Sequence, residues 1–423
     1  MELRELTNEE FSSFIDKYEI SSNYQTLEYA LTMNNQNYEP EFIGLLNDNK
    51  EIVAGSLILI EKLGKNKLYA YAPRGFLIDY SNFELLSEFT KQLKVYLKKK
   101  KVMAIKISPM LARSKYTPST KIKIDNPKYD ECFNNLKNLK YHHLGYNNFF
   151  EAYKPRFEAV TTLQGRTYEE IFNSMDGTFK QKILGCDLAG VRVYKGTEDN
   201  LDYVYEELRE KRTKSMEYIK DLYKNFSKTN KINVFFAQLE TKVFLVNTQI
   251  EYQKQINVCS EITDQLFKSQ GQSNNDLINK KIQEDNKLAN LKNQLVYATN
   301  LLRDNPNGIM LACVMAIKQR NKVYLTLDGL NEEYKHLCAK NLLIWKVIEN
   351  YAKEGAVEVH IGGITNPTYI GEDKYKEATE FRLSFSADAI EYAGDFELVT
   401  RPVKYMFYRN SSPIRNIMKK EDK

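Results

Sequence analysis

Residues 41–60 read EFIGLLNDNKEIVAGSLILI, two apolar runs, Glu41–Leu46 and Ile52–Ile60, around the polar turn Asn47-Asp48-Asn49-Lys50. Short apolar runs joined by turn residues predict a β-hairpin with a buried face. The pattern returns at residues 309–327, IMLACVMAIKQRNKVYLTL, as Ile309–Ile317 and Lys322–Leu327 around Lys318–Asn321. The segments after the two hairpins are also alike. The first leads through Leu68–Tyr71 to an amphipathic stretch Phe83–Lys100 and an apolar strand Val102–Ile107. The second leads through Asp328-Gly329 to Glu332–Lys353 and Val357–Ile361. Hairpin, helix and strand, twice in one order, indicate an internal structural repeat in an α+β chain.

Between the repeats lies Val246–Asn305, a stretch without proline that holds the single glycine Gly271 and is rich in Gln, Asn, Lys, Glu and Leu. Leu288, Leu291, Leu295, Ala298 and Leu302 recur at alternating spacings of three and four, the period of a coiled-coil seam. GQSNND at 271–276 supplies turn chemistry, so two antiparallel helices are expected. The first helix offers only Val246, Ile250 and Ile256, interrupted by Gln253, which predicts a thin pairing and a protruding arm.

The composition bounds the function. Its 423 residues are enough for more than one core, and 42% hydrophobic with 28% charged residues is a globular balance. The longest apolar run, Ile52–Ile60, is far short of the roughly 20 residues that a membrane span needs, and the start carries no secretory pattern. A cytoplasmic location is expected. Five cysteines, Cys132, Cys186, Cys259, Cys313 and Cys338, form no CxxC pair, and the four histidines stand in no HExxH or HxxxH setting. Neither a disulfide framework nor a metal site is expected. A net charge of +5 permits phosphate-bearing partners without demanding them.

The repeated β-β-α-β order is that of GNAT-like acyltransferase modules, an order that other α+β folds share. The glycine-containing loop that cradles coenzyme A pyrophosphate, [QR]-x-x-G-x-[GA], has no match; Gly362-Gly363 and Gly185 lack the preceding Gln or Arg. An acyl donor of another kind is therefore expected. The chain divides into five expected segments: 1–150, first GNAT-like subdomain; 151–245, first part of the second; 246–306, the arm; 307–400, second part of the second; and 401–423, a C-terminal tail.

Tyr71-Ala72-Pro73-Arg74-Gly75 followed by Asp79, then Leu144-Gly145-Tyr146, the helical arm, Asp328-Gly329, Ile361-Gly362-Gly363 and Glu380-Phe381-Arg382 with Phe385 come in an order that resembles the Fem family of peptidoglycan-bridge aminoacyltransferases. The resemblance spans nearly the whole chain. It implies two GNAT-like subdomains with an inserted antiparallel coiled-coil arm, and transfer of an amino acid from aminoacyl-tRNA to an amine on the peptide stem of a peptidoglycan precursor. That precursor is lipid-linked or nucleotide-linked, a setting compatible with peripheral contact at the inner membrane face. The family's Phe-Lys pair, whose cation meets precursor phosphates, falls on Phe381-Arg382, with arginine in place of lysine. A guanidinium keeps the charge and adds a planar fork of donors. Lys214 and Tyr218 in KSMEY are similar to the family's basic-x-x-x-Tyr element, and Arg74 belongs to the YAPRG element; all are expected substrate-binding residues.

Two departures limit what the resemblance implies. Ser108, in KISP, stands where many members carry an acid, and Tyr29 stands where a tryptophan often follows the residue matching Gln25. An aminoacyl ester is already activated, so no cofactor is expected; the chemistry requires a neutral amine and stabilisation of an oxyanion. A lysine amine with pKa about 10.4 is under about 0.1% neutral at pH 7, so its deprotonation needs help. No residue is singled out as the base; Asp328 and Glu380 are candidates by their place in the motifs. An N-acyltransferase acting on a soluble acceptor, and a non-catalytic coiled-coil interaction protein, remain as alternative readings.

Overall fold

A computed structural model describes the chain apart from residues 21, 65–66, 210–213, 270–273 and 411–423. The first half supplies β1 (Glu2–Glu5), β2 (Tyr38–Leu46), β3 (Ile52–Lys62), β4 (Leu68–Ala72), β5 (Val102–Ile107), β6 (Ala112–Thr117), β7 (Ile122–Asp125) and β8 (His142–His143). The second supplies β9 (Phe157–Thr162), β10 (Val191–Gly196), β11 (Ile232–Leu239), β12 (Ile309–Gln319), β13 (Lys322–Leu330), β14 (Glu358–Ile364), β15 (Asp388–Tyr392) and β16 (Phe396–Val399). Both predicted hairpins form, β2–β3 and β12–β13. Each is followed by a helix that returns the chain to a parallel neighbour, β4 with β5 and β13 with β14. The GNAT-like order therefore occurs twice.

One sheet runs β1-β2-β3-β4-β5-β16-β8 and the other β10-β11-β12-β13-β14-β9-β15-β6-β7. Strands cross between the halves. The hairpin β6–β7 joins the second sheet beside β15, while β16 joins the first between β5 and β8, so each sheet is completed by the other half. A shared apolar core reinforces the exchange, with Phe42, Leu57 and Leu59 packed in one cluster with Val234, Phe236, Cys313 and Met315. At about 1.5–3 kcal/mol for each large side chain buried, these residues weld the halves together.

The helix Phe83–Lys99 is capped by Asn82, which accepts from Leu85 N, and buries Leu86, Phe89, Leu93 and Leu97 on one face. Its counterpart is shorter than the expected Glu332–Lys353. Glu332–Leu337 is a 3-10 turn, Cys338 adopts a left-handed conformation (φ 54°), and the α-helix begins at Ala339.

The arm is an antiparallel pair, Thr241–Lys268 and Asn275–Asp304, tied at its base by Thr241 Oγ1 donating to Asn305 O (2.7 Å) and midway by Gln255 Nε2 donating to Glu284 Oε2 (2.8 Å). Leu288, Leu291, Leu295 and Leu302 are half-buried and Ala298 buried, as their spacing predicts. The first helix uses another stripe than the expected one. Val246 and Ile250 are 44% and 48% exposed, whereas Thr248, Cys259 and Ile262 are buried. With half-buried Tyr252 and Gln255 these positions alternate by four and three, a seam whose polar members hid it. Residues 271–273 of the expected turn lie outside the described residues, as do 411–423 of the tail; Pro402–Asn410 is a helix whose Tyr405 and Tyr408 pack beside Tyr69 and Met103.

Candidate active site

β13 and β14 share only the register pairs Lys322↔Glu358, Val323↔Val359 and Tyr324↔His360. Beyond them both strands bulge. Thr326 and Gly329 of β13 face Met315 and Cys313 of β12, so one extra residue is taken up around Leu327, whose φ is 50°. On β14 the register against β9 slips between His360 and Gly362. Bulges bend their strands, and these two come after the last shared pair, leaving a V between Asp328 on one arm and Gly362-Gly363 on the other.

Charged side chains line the V. Lys340 Nζ donates to Asp328 Oδ2, and Arg382 Nη2 lies 3.7 Å from Asp328 Oδ1. Arg382 Nη1 also donates to Gly363 O. Glycine suits position 362 because φ there is 134°, a conformation that side-chain-bearing residues rarely adopt. Phe381 turns the other way, its ring edge-on to Phe385 and 5.4 Å from Lys340 Nζ, and so anchors the helix Lys376–Leu383 that carries Arg382. Two cations around one carboxylate leave the mouth net positive, suited to an anionic substrate group or a developing oxyanion. Asp328 offers its lone pairs to the cations, which disfavours it as a proton acceptor. Glu380 lies on the outer face of its helix, 66% exposed and 3.8 Å from Lys376. Arg382 pairs with neither Glu380 nor Asp388, which binds Lys115 at 2.7 Å.

The closed end of the V holds a buried ionic cluster that no sequence motif marks. His360 stacks on Tyr324 with ring centroids 4.4 Å apart, between Glu158 (3.4 Å) and Glu358 (3.3 Å). Burial alone would lower the His360 pKa, but the two carboxylates outweigh it and raise it. Arg74 enters from the first half: 5% exposed, 3.6 Å from Glu158 and over the Tyr392 ring at 4.3 Å, it serves the joint between the halves. Its Nη2 donates to Pro155 O at 3.1 Å, and the Pro155 ring fills the space beside Gly363, linking this joint to the carbonyl that holds Arg382.

Lys214 lies 5.1 Å from the Tyr218 ring, so the expected pair does share a helix end. Burial raises the Tyr218 pKa, with a further contribution from Tyr24. Tyr24 packs edge-on against Tyr29 with ring centroids 5.1 Å apart and carries Lys154 at 3.6 Å from its own centroid. Gln25 is structural, accepting from Leu57 N (2.8 Å) and donating to Pro73 O (2.8 Å). At Ser108 the missing acid is supplied from elsewhere: Ser108 Oγ donates to Asp395 Oδ1 at 2.6 Å, and Lys106 lies 3.8 Å from the same carboxylate. Asp395, His360, Glu158 and Lys340 stand in no motif; only their convergence in three dimensions reveals them.

Residues 6–411 match the model of the FemAB family. Aminoacyltransferase FemA of Staphylococcus epidermidis is 24% identical over 429 residues, covering 98% of this chain and 100% of the relative. Aminoacyltransferase FemA of a bovine Staphylococcus aureus strain is 25% identical over 417 residues, covering 95% and 96% respectively. The crystal structure of FemX superposes with a TM-score of 0.75 at 19% identity, covering 96% of this chain and 99% of that one. Among the described residues no helix is long and apolar enough to cross a membrane.

Proposed function

The chain belongs to the FemAB family, and on that premise we propose that it is an aminoacyltransferase moving an amino acid from aminoacyl-tRNA to an amine on the peptide stem of a peptidoglycan precursor. The observation that carries the reading is the V between β13 and β14, with Arg382 and Lys340 held at its mouth around Asp328. In the transfer the amine nitrogen bonds to the ester carbonyl carbon, the bond to the ribose oxygen breaks, and the proton the amine loses ends on that oxygen. Charge builds on the carbonyl oxygen on the way, and a preorganised guanidinium and ammonium stabilise it without reorganising.

In this reading Arg382 serves the oxyanion or an acceptor phosphate, Lys340 orients it through Asp328, and Phe381 fixes the helix Lys376–Leu383 that carries Arg382. Lys214 and Tyr218 contact the phosphate-bearing end of the acceptor. A lipid-linked acceptor brings the enzyme to the membrane surface as a peripheral visitor. The test is purified protein with a pool of charged tRNAs and lipid-linked precursor, read by mass spectrometry. A mass increase of one or more amino acid residues on the peptide stem is expected; an unmodified precursor with every charged tRNA refutes the proposal.

A further inference from the structure

A second cationic site lies on the edge of the second sheet, where the exchanged hairpin β6–β7 meets β15. A cavity of about 170 Å³ is walled there by Arg113, Lys123, Arg156 and Glu391, with Asn366 and Thr368 from the segment after β14. Glu391 is 5% exposed and already supplied with donors: Arg156 Nη2, Arg113 Nη1 (2.9 Å) and Ser114 Oγ (2.8 Å), with Lys123 Nζ at 3.6 Å. Three cations thus surround one buried carboxylate, and the further acid near Lys123, Asp125, is 76% exposed at the rim. Arg156 is 6% exposed, its Nη1 donates to Asn147 O (2.8 Å), and its Nε is a buried donor without a partner among the described residues.

Both guanidiniums, which converge on Glu391 Oε1, also pack on one ring. Tyr146, from the Leu144-Gly145-Tyr146 motif, has Arg113 and Arg156 each 4.7 Å from its centroid. Aromatic stacking fixes an arginine fork without consuming its hydrogen-bond donors. The hairpin segment 112–128 carries Arg113, Lys115, Lys121, Lys123 and Lys128 against Asp125, and with Lys115 paired to Asp388 at 2.7 Å it remains net positive. Three cations around one carboxylate in a concave site leave a net positive charge that favours an anion with several acceptor oxygens. We propose that this cavity binds a phosphoryl group. The two sources that carry this chemistry, the RNA backbone of the donor and the diphosphate of a nucleotide-linked acceptor, rest on the function proposed above; the phosphate site itself does not.

The test compares wild type, Arg113→Gln/Lys123→Gln and a charge-matched control, Lys98→Gln/Lys99→Gln, on the exposed end of the helix Phe83–Lys99. Calorimetric titration with inorganic phosphate is expected to show binding that falls on the order of tenfold in the first variant and is unchanged in the control. Equal phosphate affinity in all three proteins, or none in wild type, overturns the proposal; Lys123→Gln alone, on a half-exposed side chain, guards against a folding defect. Parallel titrations with an uncharged RNA hairpin copying a tRNA acceptor end and with uridine diphosphate-N-acetylglucosamine identify the source as whichever loses affinity in the first variant, and loss for phosphate alone identifies a free-phosphate site. Failure of the aminoacyl-tRNA reading appears separately, as absent transfer by wild type while phosphate binding persists.

Discussion

In the first half β4 and β5 stay paired from Leu68↔Val102 to Ala72↔Ile107, and Ser108 N donating to Ala72 O at 3.3 Å closes their end. In the second half β13 and β14 part after Tyr324↔His360. Both pairs are parallel, are joined by a return helix and lie inside a sheet, so these shared features do not decide which one opens. Local irregularity does. The register slip of β4–β5 lies at its beginning, between Leu68 and Ala70, whereas both members of the second pair bulge just past their last contact. The contents differ accordingly: Tyr71, Ser108 and Asp395 bond together at the closed end, and Gly362-Gly363 leave room for Arg382 at the open one. One architecture thus gives a closed strand pair and an open one, and the open one is the cleft of the proposed function.

Four substitutions probe this contrast. The largest expected effect is at the closed end of the V, where His360→Gln removes the buried imidazole between Glu158, 13% exposed, and Glu358, 30% exposed, and should cost about 3 kcal/mol in denaturant unfolding. Folding raises the His360 pKa, so its contribution is complete below about pH 6.5 and is lost as pH rises through the folded-state value. Glu158 and Glu358, both lowered to about 2, contribute above the ordinary glutamate range and lose that as pH falls toward about 2. The gap between wild type and variant should be widest below about pH 6.5 and should narrow as pH rises above the ordinary histidine range; a gap that grows with pH contradicts this assignment.

Gly363→Ala comes next, because its Cβ would lie 2.3 Å from Pro155 Cγ; a cost of about 1–3 kcal/mol is expected together with reduced transfer, as Arg382 loses its carbonyl anchor. In the sealed half, Ser108→Ala should cost about 1–2 kcal/mol by leaving Asp395 short of a donor. Its rate of transfer should hold at the wild-type level, and a severalfold loss would place chemistry in the wrong half. Glu380→Gln should change neither stability, beyond about 0.5 kcal/mol, nor turnover, since its carboxylate faces water. A large rate loss there would restore it as the base.

Strong local signals made much of this legible in sequence. The two hairpins and their return helices rest on apolar runs and turn residues, and Leu288–Leu302 carries its own period. The exchange of β6–β7 and β16 leaves no such signal, because short strands such as Phe396–Val399 look alike whichever sheet they enter. Thr248, Tyr252 and Gln255 concealed the arm's first seam by being polar. Motif order singled out Arg382, Asp328, Lys214 and Tyr218 as candidates, whereas Lys340 and His360 acquire meaning only from what the fold sets beside them. Asp395, 287 residues beyond Ser108, does so most clearly.

That acyl transfer occurs in the V of the second half can be decided by single-turnover transfer with Arg382→Ala and Arg382→Lys against wild type. Loss of a charge-assisted contact in a half-desolvated site is worth roughly 1.5–3 kcal/mol, so the alanine variant should transfer about 10–150-fold more slowly while unfolding at the wild-type midpoint. The lysine variant should recover most of the rate if charge suffices, and little if the fork between Gly363 O and Asp328 is needed. Transfer by the alanine variant at the wild-type rate would contradict this placement and move the chemistry away from the V.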